Sequence, residues 1–175
     1  SRKDIPWRFG HNITVQLGFA NAGLWQTLAD GTRIWRLGVR SDDAVSLNLA
    51  FDAFVMPPGA ELFVRSEDGA TVLGAFDQSN NKADGQFATT LVMHDEIVLE
   101  YREPASAPFP GELNLSRVTH GYRSAFDMTR SLGDSGACNN NVHCSPLSDG
   151  WGDQIRSVVM LVTGGSGFCT GSMIN

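Results

Sequence analysis

The segment Thr32-Arg33-Ile34-Trp35-Arg36-Leu37-Gly38-Val39-Arg40 puts Trp35, Leu37 and Val39 on one side of an extended chain and Arg36 and Arg40 on the other. Successive side chains of a strand point to opposite faces, so this alternation predicts a strand with one buried and one solvated face. The same period recurs further along. Leu47, Leu49 and Phe51 share a face; Ile97, Leu99 and Tyr101 alternate with Val98 and Glu100; Leu113 and Leu115 alternate with Asn114 and Ser116. Shorter strand candidates cover residues 12–18, 61–65, 70–75 and 87–93. Between the runs lie Asp30-Gly31, Pro57-Pro58-Gly59, Asp68-Gly69, Asn80-Asn81 and Asp84-Gly85, residues that tolerate tight or left-handed backbone. Strands at roughly 8–12-residue spacing with such turns predict an all-β, antiparallel β-sandwich over residues 1–132. A short helix is expected near residues 21–28, and no helical stripe exceeds about two turns. The proline-rich segment 103–110 cannot be an interior strand, because proline has no N–H to give to a ladder.

After a last strand that ends near Tyr122, periodicity fades, and the domain boundary is placed at about residues 128–133. Beyond it come a polar loop (Asn139-Asn140-Asn141), an apolar strand at 155–163, a Gly-Gly-Ser-Gly turn at 164–167 and a short strand from Phe168. The covalent chemistry changes at the same place. Cys138, Cys144 and Cys169 all lie after the boundary, and the segment before it has no cysteine. An odd thiol count cannot pair completely within the chain. Closely spaced half-cystines favour an oxidising compartment, hence secretion to the periplasm or the exterior.

Composition excludes several classes. Hydrophobic residues make up 42% and charged residues 18% of the chain, enough for a core and too little charge for disorder. The net charge is −6, with a balance of −2 after residue 132 and −4 before it, and neither part has a basic block. Nucleic acid is therefore not expected as a partner. No apolar run approaches the roughly 18 residues of a membrane helix, so no membrane partner is expected either. The opening Ser1-Arg2-Lys3, with no initiator Met, is read as a trimmed N-terminus.

Gly133-Asp134-Ser135-Gly136 matches the surroundings of the nucleophilic serine in chymotrypsin-like proteases, where small residues let backbone N–H groups line an oxyanion hole. Position argues against Ser135 as nucleophile. The base and its orienting acid should come from a domain folded before it, yet a sandwich precedes it, and His11, His94 and His120 sit in no recognisable active-site context. A four-residue match is weak, and the bland reading is a Gly/Ser junction. The Cys138-x5-Cys144 pair, with His143 adjacent, is read as disulfide halves. Structural zinc prefers ligands about two to four residues apart and a second ligand pair, and that pair is not visible. No metal or cofactor is expected.

Residues 133–175 resemble the start of the mature domain of lysyl-endopeptidase-like bacterial serine proteases, a secreted branch of the chymotrypsin superfamily. The resemblance rests on Gly133-x-Ser135-Gly136-x-Cys138-Asn139, Cys138-x5-Cys144, Asp153-x-Ile155-Arg156 and Cys169-Thr170-Gly171-Ser172-Met173-Ile174-Asn175. Residues 1–132 are similar, more loosely, to the β-rich propeptides of such enzymes, through Trp35-Arg36-Leu37, Ser46-Leu47-Asn48-Leu49, Gly59-Ala60-Glu61-Leu62-Phe63 and Arg117-Val118-x-His120-Gly121-Tyr122.

The resemblance implies a precursor of a serine endopeptidase: a propeptide that inhibits the protease and assists its folding, then the first strands of a chymotrypsin-like double β-barrel. It implies that Cys169 bonds a cysteine next to the catalytic His, that Cys138 and Cys144 have downstream partners, and that the whole Ser-His-Asp triad lies beyond Asn175. This chain alone is then expected to be inactive. Its partners would be the rest of the protease domain and peptide or protein substrates. Maturation is expected after Arg130, or at the Leu132–Gly133 bond; the family's lysine is missing at that junction. The rival reading is an accessory module binding carbohydrate or protein, with Trp7, Trp25 and Trp35 as stacking platforms.

Overall fold

The structure, a computed structural model, describes residues 8–124 and 149–173. Its strands in chain order are β1 (Gly10–Gly18), β2 (Leu24–Thr27), β3 (Arg33–Arg40), β4 (Ser46–Val55), β5 (Glu61–Ser66), β6 (Val72–Phe76), β7 (Phe87–Ala88), β8 (Glu96–Glu103) and β9 (Glu112–Gly121). A short helix α1 (Gly152–Ser157) and a hairpin of β10 (Val158–Thr163) and β11 (Ser166–Ser172) follow. The first nine strands form two antiparallel sheets, in the orders β1-β9-β4-β7 and β2-β3-β8-β5-β6. The protein is all-β, and the two sheets make the expected sandwich.

The alternation in Thr32–Arg40 sets the packing. Trp35 is fully buried, and Leu37 and Val39 lie beside it in the core. Opposite them on β8, Tyr101 pairs with Trp35, Leu99 with Leu37 and Ile97 with Val39. The facing sheet supplies Leu47, Leu49 and Phe51 from β4 and Leu113, Leu115 and Val118 from β9, all in one apolar cluster. Non-polar area removed from water is the main stabilising term of such a core. The β4–β9 ladder shifts register twice, between Ala50 and Phe51 and between Phe51 and Ala53. Such bulges sharpen the local twist.

Three expectations need correction. Residues 21–28 hold no helix: Gly23 turns the chain at φ 73° and β2 follows, with Trp25 paired to Trp35. The indole N–H of Trp35 donates to the Ala22 carbonyl at 2.8 Å, so tertiary contacts fix this turn. The candidate at 87–93 shrinks to Phe87–Ala88 and one isolated bridge, Leu47 to Val92. The strand drawn from 155 begins at Val158, because Gly152–Ser157 is helical. Residues 104–110 of the proline-rich segment form a loop, as expected, while Glu103 still ends β8. Among the described residues no helix is long and apolar enough to cross a membrane.

Candidate functional site: the seam between sandwich and hairpin

Most residues singled out from the sequence, Arg130, Leu132, Gly133, Ser135, Cys138 and Cys144, lie outside the described residues. Cys169 is in β11, opposite Leu161 of β10. Among the described residues, the β10–β11 part is a hairpin and not a closed barrel.

The structure joins that hairpin to the sandwich at the start of β1. Gly164 and Gly165 form the turn, at φ 57° and 78°, left-handed values that suit glycine and match the twist of a two-residue hairpin loop. The Gly165 carbonyl accepts from the N–H of Phe9 at 2.8 Å and of Gly10 at 3.0 Å. Ser166 bridges Arg8 in antiparallel sense. A Cβ on Gly165 would stand 2.3 Å from the Gly10 carbonyl oxygen, and one on Gly10 would stand 2.6 Å from the carbonyl of His120. Both glycines are therefore dictated by close backbone approach. A side chain at Gly164 would meet Asn12 Nδ2 at 3.3 Å, which extends the contact along β1.

Strand β9 holds the seat in place. Gly10 pairs with Gly121, and the N–H groups of Tyr122 and Arg123 donate to the Phe9 carbonyl at 2.9 and 3.2 Å. Phe9 is almost fully buried. Next to the seat, His11 and His120 face each other in the ladder with ring centroids 4.8 Å apart, and the Tyr122 ring stacks on His11 at 6.2 Å. Ser41 Oγ lies 2.7 Å from His120 Nδ1. From sequence, the histidines showed no context. The only legible signal of the seam was the Gly-Gly turn, because strand order decides what a turn touches.

Two polar clusters brace the five-stranded sheet. Glu100 is bound by Arg36 at 2.8 Å, Arg102 at 2.6 Å and Arg65 at 3.5 Å. Burial pushes its carboxyl up, but hydrogen bonds and charge from Arg36 and Arg102 outweigh this and hold it below the ordinary range. Glu103 accepts from Tyr101 Oη at 2.6 Å and from the Gly111 N–H at 2.9 Å, and it pairs with Arg33. Burial again acts upward, and the Gly111, Tyr101 and Arg33 contacts bring Glu103 below its usual value. Burial, then the hydrogen bond and charge of Glu103, push the Tyr101 phenol far up.

The outer face of the four-stranded sheet carries an open depression of about 470 Å³, with Lys82 and Arg117 set among Asp52 and Asp84. The aromatic rings at its floor, Phe51 and Phe87, are buried, so it offers no stacking platform. Trp35 is core, Trp25 packs against Phe19 and beneath the Arg33 guanidinium, and Trp7 lies outside the described residues. Of the three tryptophans of the rival reading, Trp35 is thus enclosed, and the Trp25 ring is flanked by Phe19 and the Arg33 guanidinium. Among the described residues, no group of three or more His, Cys, Asp or Glu is placed to hold a metal ion.

A family model, that of the lysyl endopeptidase C-terminal domain, matches residues 132–175. The matched stretch is a quarter of the chain and contains α1 and the whole β10–β11 hairpin. The hairpin seated on β1 thus belongs to a segment related to a protease family, and the chain is related through it to lysyl endopeptidases.

Proposed function

We propose that this chain is the propeptide and the opening of the protease domain of a secreted serine endopeptidase precursor. The observation that carries the reading is the match of residues 132–175 to the lysyl endopeptidase C-terminal domain, directly after a cysteine-free sandwich. The seating of the hairpin turn on Phe9 and Gly10 supports it, because a propeptide must hold its protease. The reaction is peptide-bond hydrolysis through a serine acyl-enzyme, with its Ser-His-Asp triad and double β-barrel supplied by sequence beyond Asn175. Cys138, Cys144 and Cys169 are half-cystines whose partners lie in that sequence. The sandwich restrains the protease and presents a preformed edge on which its non-local β-structure assembles, a step that is otherwise slow.

The test is to produce the full precursor, sequence the N-terminus of the matured enzyme and add residues 1–132 back to it. The expected start is Ser131 or Gly133, and the added sandwich slows hydrolysis of a peptide substrate. A start elsewhere removes the proposed junction; a precursor with no peptidase activity after processing removes the reading. A start at Ser131 fits a basic-residue preference, and one at Gly133 points away from lysine.

A further inference from the structure

We infer that the His11–His120 pair makes the contact between the sandwich and the β10–β11 hairpin acid-labile. The regulatory meaning of this inference rests on the precursor reading above: it would release the protease segment from its propeptide at mildly acidic pH.

Three observations carry it. First, the two rings are direct cross-strand partners with centroids 4.8 Å apart, close enough that two protonated rings repel. Histidine is the side chain that ordinarily changes charge between about pH 5 and 8. Second, the pair is one residue from the seat. The Phe9 and Gly10 N–H groups that hold the Gly165 carbonyl are positioned by the Gly10–Gly121 pairing and by the Tyr122 and Arg123 bonds to Phe9. Splaying β1 from β9 at His11 and His120 therefore moves both donors together. Third, among the described residues named below, no carboxylate is paired with either ring. Arg8 lies at the bridge to Ser166, and Arg123 lies over the Tyr122 ring at 5.7 Å, so both flanking charges are positive. On the loop beyond Ser41, Asp42 is paired with Arg40 at 2.8 Å. Asp95, whose carbonyl accepts from the Ser41 N–H, is 3.3 Å from His94 Nδ1. Asp43 is exposed on the same loop. The Ser41 hydroxyl can donate to a neutral His120 or accept from a protonated one, so this bond opposes neither state.

The experiment is amide hydrogen exchange on the full chain at pH 7.5 and 5.0, corrected for intrinsic rates and read at Phe9 and Gly10. Expected is a loss of protection of about tenfold at these two amides on acidification, the scale of one close like-charge pair, with core amides of β3 and β8 unchanged. His11→Gln keeps a neutral polar side chain at an exposed position and should abolish the loss. Equal loss in wild type and His11→Gln overturns the inference, as does no loss in wild type. The amide chemical shifts of Phe9, Gly10 and Gly165 in wild type, followed from pH 7.5 to 5.0, give a readout that needs no variant: shifts that move together support the inference, and unmoved shifts overturn it. Neither readout uses peptidase activity. A pH-insensitive seam in a precursor that matures as expected sinks the switch alone; a precursor without peptidase activity sinks the functional reading whatever the histidines do.

Discussion

Gly10 and Gly165 meet backbone to backbone, with the Gly10 N–H on the Gly165 carbonyl at 3.0 Å. The protease-like hairpin is thereby joined to the sandwich through atoms common to every residue, at a distance that only glycine permits.

Replacing Gly165 with alanine should break this contact without harming the sandwich. The new Cβ would stand 2.3 Å from the Gly10 carbonyl oxygen, and the residue would keep a φ of 78° that alanine resists. The expected result is at least about a tenfold loss of exchange protection at Phe9 and Gly10, as about 1.4 kcal/mol corresponds to tenfold. The unfolding midpoint of the core should stay put. Gly69→Asn is the control: Gly69 also has positive φ, but nothing lies within 4 Å of its Cβ position, and asparagine tolerates that backbone.

Trp35→Ala should destabilise the sandwich by about 3–5 kcal/mol, the usual cost of emptying a large aromatic site. Trp35 is fully buried, packs edge-on against Phe19, and donates to Ala22. Equilibrium urea unfolding followed by far-UV circular dichroism measures the loss. A change under about 1 kcal/mol would mean that the site collapses around the smaller residue.

The strand pattern around Trp35 was legible because period-two alternation follows from backbone geometry alone, whatever the neighbours. The turn before it was not. Residues 21–28 read as a short helix, yet the Trp35 indole reaches back to Ala22, and a Cβ on Gly23 would lie 2.5 Å from Trp35 Nε1. A contact made across a strand pairing overrode local preference there. At the other end, Ile155 and Arg156 read as the start of a strand, and α1 takes them, although β10 runs on from Val158 as expected. The candidate site was legible only in its pieces. Gly164-Gly165 announces a turn, and Gly10 looks like an ordinary strand entry. Their meeting depends on β1 lying at the edge of its sheet, a fact of topology that no local spacing encodes.

Tyr101→Phe should cost about 1–2 kcal/mol, the cost of leaving a buried charged acceptor short of a donor. The phenol donates to Glu103 at 2.6 Å, and burial, then the hydrogen bond and charge of Glu103, push its ionisation far up. Of the two tyrosines in the chain, one should therefore resist ionisation on raising pH until the fold opens. Absorbance of tyrosinate during an alkaline titration, beside circular dichroism, checks this. Early, complete ionisation of both with the fold intact would contradict it.

Acid should weaken the sandwich through Glu100 and Glu103. Both carboxyls sit below their ordinary value when folded, because arginine contacts and hydrogen bonds outweigh burial. A carboxyl depressed in the folded state contributes stability that is complete above its unfolded value of about 4.3 and is lost as pH falls through the folded value. The urea midpoint should thus be flat from pH 7 to about 5 and decline below about 4. Glu103→Gln should lower the midpoint at pH 7 and make the decline shallower. An unchanged slope in that variant would assign the decline to other carboxylates.

The Gly164–Gly165 seat has an implication for how the two parts can change over time. A contact made by carbonyl and amide groups reads shape and ignores side-chain identity, so the strand edge at Phe9–Gly10 and the hairpin arms can drift in sequence independently. What must stay fixed is the absence of a side chain at two places, one on each partner. A methyl group at Gly165 is enough to uncouple them while each part keeps its own internal packing; one at Gly10 would also strike the His120 carbonyl and disturb the sandwich's own β1–β9 pairing.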